Sequence, residues 1–227
     1  MRKWILMRGG IKRLFVFPAV ELLAGSLARA QKNPCAAAGE NNDFLGIRTI
    51  RLWRGDAPQA KGKACEDVPT LTIFEPQWGY KNDSAVLIFP GGAYSEVVGN
   101  AEGRQVADWF TARGFRAFLL SYRLSANGYL LPVPLLDARR AIQTVQARAK
   151  DYLIAPNRIV VIGFSAGERL AALFGTQFVR GNPNAEDPIE RVSSRPDYLV
   201  LGYPWIGAIS SDTSHLNYCK LFSVMDR

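Results

Sequence analysis

The stretch Ile159-Val160-Val161-Ile162-Gly163-Phe164-Ser165-Ala166-Gly167 constrains this chain more than any other. Four β-branched residues in a row read as a buried strand, and Arg169-Leu170-Ala171-Ala172-Leu173-Phe174 reads as a helix. Between them lies G-x-S-x-G, with no residues to spare for a loop. A turn this tight brings the positions two before and two after Ser165 against neighbouring backbone, where a side chain would collide. Gly163 and Gly167 meet that demand. The helix that follows aims its first amides at any anion forming beside the serine. Five residues of this pattern occur often by chance; their place between a buried strand and a helix makes Ser165 a candidate nucleophile.

The surrounding pattern says what kind of sheet holds this turn. Apolar or alternating runs predict strands at 47–53 (an edge), 70–74, 85–89, 115–120, 159–162 and 198–203. Helical periodicity appears at 102–113 (Val106, Trp109 and Phe110 on one face) and again through Ala138, Ile142, Val145 and Ala149. From residue 85 strand and helix alternate, which calls for an α/β fold: a mainly parallel sheet with helices on both faces. The expected organisation is one core at 47–206, preceded by a polar linker at 31–46 and followed by a divergent tail at 207–227. The last expected strand is 198–203.

Charge bears on the N-terminus rather than on partners. The formal net charge of the 227 residues is +8. Residues 1–30 hold six basic side chains and one acid, Glu21, a net of +5 that leaves +3 for everything else. A mild +3 without a basic stripe does not suit nucleic acid. Basic residues through Arg13, an apolar segment at 14–27 and Ala28-Arg29-Ala30 form the three parts of an export signal cleaved near Ala30, implying a secreted or periplasmic protein. The apolar segment is too short for a stable membrane span. Cys35, Cys65 and Cys219 lack metal-ligand spacing and read as unpaired thiols, although one pair could bridge in an oxidising compartment.

A second constellation, Phe89-Pro90-Gly91-Gly92-Ala93-Tyr94, follows the apolar run at 85–89. Acyl transfer passes through a tetrahedral oxyanion, and each fixed backbone donor to it is worth about 2.7–4 kcal/mol. Paired glycines let the backbone come close and point amides inward, so Gly92 and Ala93, with Ala166 after the serine, are the expected oxyanion hole. Tyr94 and Tyr122 are the expected substrate-pocket residues. No ligand cluster for a metal is present, and no organic cofactor is implied.

Further blocks recur in one order: Tyr122-Arg123-Leu124, Asp137-Ala138-Arg139-Arg140-Ala141, Ala155-Pro156-Asn157-Arg158-Ile159 and Arg195-Pro196-Asp197-Tyr198. With the loop at 90–94 and the elbow at 163–171, they resemble the secreted acetyl-xylan-esterase-like branch of the α/β-hydrolases over roughly two-thirds of the chain. The resemblance implies a serine esterase acting on acetylated polysaccharide or small esters. Five positions depart from it: Ala93 stands where the branch has a third glycine, Glu168-Arg169 replace Gly-His, and Asn100 and Leu131 fall where relatives commonly have histidines lining the site. Glu168 would either oppose an oxyanion or simply favour the helix dipole as a helix-start acid. The relatives' acid and histidine loops, which follow the last strands, have no counterpart after 203. His215, the single histidine, is the only imidazole on offer as a base, and its place after the 198–203 strand suits a surface or capping histidine better. Two other readings stay open: an inactive relative that binds carbohydrate or ester, and an incomplete gene product with a bare sheet edge.

Overall fold

Apolar residues at every position of 85–89 leave that strand no solvent face, and the sheet is built outward from it. The computed structural model describes residues 41–42, 47–76, 82–203 and 220–224. Its strands are β1 (Asn41–Asn42), β2 (Ile47–Arg51), β3 (Thr70–Phe74), β4 (Ala85–Phe89), β5 (Arg116–Ser121), β6 (Ile159–Phe164), β7 (Tyr198–Gly202) and β8 (Lys220–Val224). They form one sheet in the order β1-β2-β3-β5-β4-β6-β7-β8. β1, β2 and β3 pair antiparallel, as do β3 and β5; from β5 across β4, β6 and β7 to β8 every pairing is parallel.

Alternate residues of the central strands feed two separate cores. Leu87, Phe89, Phe118, Leu120, Val161 and Leu199 face one way, toward α2 (Val133–Ala147) and α3 (Ala166–Thr176). Val86, Ile88, Ala117 and Ile162 face the other way, where Ala107 of α1 (Gln105–Thr111) closes over them with Val106 and Phe110. Helices therefore cover both faces, as the strand–helix alternation demands. The alternation of side chains along a strand is what lets five consecutive apolar residues serve both layers.

Three local expectations change. The helix expected at 102–113 is two elements: a π-helical turn, Asn100–Arg104, and then α1. The sheet also continues past the expected last strand, because β8 lies parallel to β7 with Leu199 opposite Leu221. This pairing covers the β7 edge that the sequence reading left bare. Finally, Cys65 is disulfide-bonded, against the reading of unpaired thiols. Spacing alone could not reveal it, since a bridge needs closeness in space. Cys35 and Cys219 lie outside the described residues.

The Tyr122-Arg123-Leu124 and Asp137 blocks meet as a buried ion pair. Arg123 donates from Nε and Nη2 to the Asp137 carboxylate at 2.6–3.2 Å, and the Arg123 amide adds a third contact at 3.0 Å. Both side chains are essentially sealed from water, at 1% and 0% exposure. Arg123 Nη1 reaches the Pro58 carbonyl at 2.8 Å, tying the loop after β2 to the end of β5. Removing one partner would strand the other charge in a dry interior. Asp137→Ala is expected to cost about 3–5 kcal/mol, read from urea unfolding followed by tryptophan fluorescence.

Candidate active site

Ser165 stands between the last residue of β6 and the first of α3, with φ 48° and ψ −116°. A non-glycine residue here is strained, by about 1–3 kcal/mol, and strain of this kind persists where the surroundings over-determine the conformation. Those surroundings are backbone. A Cβ at Gly167 would stand 2.1 Å from the Phe89 carbonyl oxygen and 2.4 Å from that of Pro90. A Cβ at Gly163 would stand 2.5 Å from the Gly167 carbonyl oxygen. The steric reading of the two glycines is thus met atom by atom. The Ser165 amide is held by the Gly202 carbonyl at 3.3 Å, which leaves the serine side chain on the exposed side of the turn.

The loop after β4 packs directly onto this elbow. A Cβ at Gly91 would lie 2.8 Å from the Phe164 carbonyl oxygen and 2.9 Å from the Ser165 Cβ. Three residues in succession take positive φ: Gly92 at 123°, Ala93 at 53° and Tyr94 at 57°. Ala93 therefore adopts the left-handed backbone that a glycine would take without strain.

The loop's carbonyls and amides are divided in use. Pro90 O accepts from the Tyr122 hydroxyl at 2.8 Å and Gly91 O from the Val98 amide at 3.0 Å. Gly92 O accepts from the Ser95 and Glu96 amides, and Tyr94 O from the Ser125 hydroxyl and the Ala126 amide. The amides of Gly92, Ala93 and Ala166 have no acceptor among the described residues. Ala166 is the first residue of α3, so its free amide also carries the positive end of the helix dipole.

The two tyrosines divide differently from expectation. Tyr122 is buried, and its hydroxyl braces the loop through Pro90. Its ring meets that of Tyr94 edge-to-face at 5.9 Å. The Tyr94 hydroxyl is buried without a hydrogen-bond partner among the described residues. Burial raises its pKa, Arg169 pulls it down and Glu168 pushes it up, with burial prevailing. Glu168 itself is fully buried in the first turn of α3, where a negative charge suits the dipole. His215 lies outside the described residues.

Sequence reasoning overlooked Glu102. Its Oε2 accepts from the Gly91 amide at 2.6 Å and its Oε1 from the Tyr203 hydroxyl, so a carboxylate lies under the loop. In the sequence Glu102 has no role beyond opening the helical stretch at 102–113. The π-helical turn that carries it has no sequence signature of its own.

A strained serine on a strand–helix turn, packed against a loop with unengaged amides on a mainly parallel sheet, defines an α/β-hydrolase. The BD-FAE family model matches residues 71–195, and the chain belongs to that family, among the acetyl-xylan-esterase-like α/β-hydrolases. The chain is 32% identical over 138 residues to an acetylxylan esterase of Xylanibacter ruminicola, spanning 61% of this chain and 26% of that protein. It is 33% identical over 144 residues to endo-1,4-beta-xylanase B of Butyrivibrio fibrisolvens, spanning 61% and 22%. Among solved structures, the acetyl ester-xyloside bifunctional hydrolase of Caldicellulosiruptor lactoaceticus superposes with a TM-score of 0.62 at 40% identity, over 70% of this chain and 57% of that one. The chain thus spans about a quarter of each curated relative it matches.

The backbone crossing at Gly167 yields a direct test. Gly167→Ala forces a methyl into two carbonyl oxygens that have no room to retreat. It is expected to destabilise the chain by at least the about 1–3 kcal/mol typical of overpacking, seen as a lowered midpoint in thermal unfolding.

Proposed function

We propose that this chain is an exported serine esterase that removes acetyl groups from acetylated polysaccharide or cleaves small carboxylic esters. The observation that carries the reading is the pairing of Ser165, at φ 48°, with a loop whose Gly92 and Ala93 amides are unoccupied among the described residues. Ser165 Oγ attacks the ester carbonyl carbon, and the carbonyl oxygen becomes an oxyanion. The amides of Gly92, Ala93 and Ala166 stabilise it as donors fixed before the reaction begins. Collapse breaks the bond to the alcohol oxygen, which leaves protonated, and an acyl-serine remains. Water then splits that ester, releasing the carboxylic acid and restoring Ser165. A base must take the serine proton and return it to the leaving alcohol; His215, outside the described residues, is the one imidazole the sequence offers for that step. Tyr94, packed edge-to-face on the buried brace Tyr122, is the pocket residue carried forward from the sequence. The acetyl and polysaccharide specificity is supported by the names of the relatives matched above.

Hydrolysis of p-nitrophenyl acetate by the full chain and by Ser165→Ala tests the chemistry. The wild type is expected to exceed the variant by about 10³-fold or more in kcat/KM, in line with loss of a nucleophile. Equal rates at background would leave binding without turnover, and the esterase reading would fail.

Export is supported by the three-part N-terminus and by the bridged Cys65, since disulfides persist in oxidising compartments. Expression in a secreting host should yield a product whose first residue, by N-terminal sequencing, follows Ala30. A product retaining Met1 or Met7 would exclude it.

A further inference from the structure

We infer that Glu102 is a positioning residue that fixes the oxyanion loop against the nucleophile elbow, an inference that rests on the esterase reading. Its carboxylate joins the turns that follow two parallel strands and reaches a third strand through Tyr203. Oε2 takes the Gly91 amide after β4 at 2.6 Å. Oε1 takes the hydroxyl of Tyr203, just after β7. The Tyr203 ring lies 5.9 Å from that of Phe164, the residue before the serine on β6. Tyr203 is half exposed, and the tight contact is the one at Gly91. A Cβ at Gly91 would be 2.7 Å from Glu102 Oε2, as well as 2.9 Å from Ser165 Cβ. Gly91 is therefore bare so that the carboxylate and the serine can both stand beside it.

The way Glu102 arrives is equally specific. It sits in the π-helical turn Asn100–Arg104, a wide turn of the kind often found at functional sites. The next residue, Gly103, is pressed onto Leu119 of β5; a Cβ there would be 2.9 Å from Leu119 Cδ2. This seats the turn on the sheet and directs Glu102 back toward the loop. Burial and the bond to Glu102 push the Tyr203 phenol well above its ordinary pKa, so it stays protonated and remains a donor.

The catalytic consequence lies in which amide is taken. By occupying the Gly91 N–H, Glu102 removes it from the hole and sets the peptide planes that follow. Gly92 and Ala93 then present their amides toward the elbow. Because the hole acts on charge that appears only in the transition state, loosening the loop should lower kcat and leave KM almost unchanged.

The test uses the full chain as wild type, Glu102→Gln and Glu102→Met. The Gln variant keeps an oxygen that accepts from Gly91; the Met variant keeps the length and removes the acceptor. Hydrogen exchange of segment 90–96 by mass spectrometry is read beside kcat and KM on p-nitrophenyl acetate. The Met variant is expected to exchange about tenfold faster across that segment and to lose about 10²-fold in kcat, with KM within about twofold. The Gln variant should stay near wild type in both, a rescue that a merely space-filling role would not require. Should the Met variant fail to fold, Glu102→Asp, one methylene short of the loop, carries the same direction of change. Unchanged exchange in the Met or Asp variant overturns the inference whether or not ester is turned over. So does faster exchange with unchanged kcat in an active chain. A wild type no faster than Ser165→Ala would sink the esterase reading alone, and faster exchange in the variant would still support the clamp.

Discussion

Backbone meets backbone where β4, β6 and α3 cross, and everything at the candidate site follows from that contact. The carbonyls of Phe89 and Pro90 lie in the space a side chain at position 167 would need. The elbow cannot open without separating strands whose other residues are in the dry core. Interiors at close packing resist such separation. The serine's strained φ is therefore held by the two-layer core as a whole, through Leu87 and Phe89 on one face and Val86 and Ile88 on the other.

Polar groups extend this rigidity into the loops. Arg123 and Asp137 fix the end of β5 to α2, and Arg140 continues the tie, from Leu52 O at 2.9 Å to Asp187 at 2.5 Å. Tyr122, the residue before Arg123, holds Pro90. A chain of contacts thus runs from a buried ion pair to the loop at 90–94. It accounts for positive φ at three consecutive residues, two of which carry side chains.

The sequence made the fold and the strand–helix turn at Ser165 legible because both are governed by short-range rules. Period-two apolar runs mark strands, period-3.6 runs mark helices, and a G-x-S-x-G turn has few ways to be built. The loop at 90–94 was legible for the same reason. Glu102 was not, because its partners are an amide eleven residues back and a hydroxyl 101 residues on. Nor was the role of Tyr122 as a brace, since its acceptor is a carbonyl 32 residues away. The bridge at Cys65 and the pairing of β8 with β7 belong to the same class of long-range fact. Each depends on what the fold brings together, and the local pattern carries no trace of it.

The division of the loop into engaged carbonyls and open amides also bears on how a reaction there would end. If those amides stabilise an oxyanion they would also attract a carboxylate, so the acid formed by deacylation would tend to linger as an anion. Two acidic side chains stand behind those amides: Glu102 beneath Gly91 and Glu168 in the first turn of α3. A negative charge on them would act on either anion, weakening the hold on the product carboxylate as well as on the oxyanion. On the proposed chemistry, the arrangement that seats the loop would also hasten the departure of acetate.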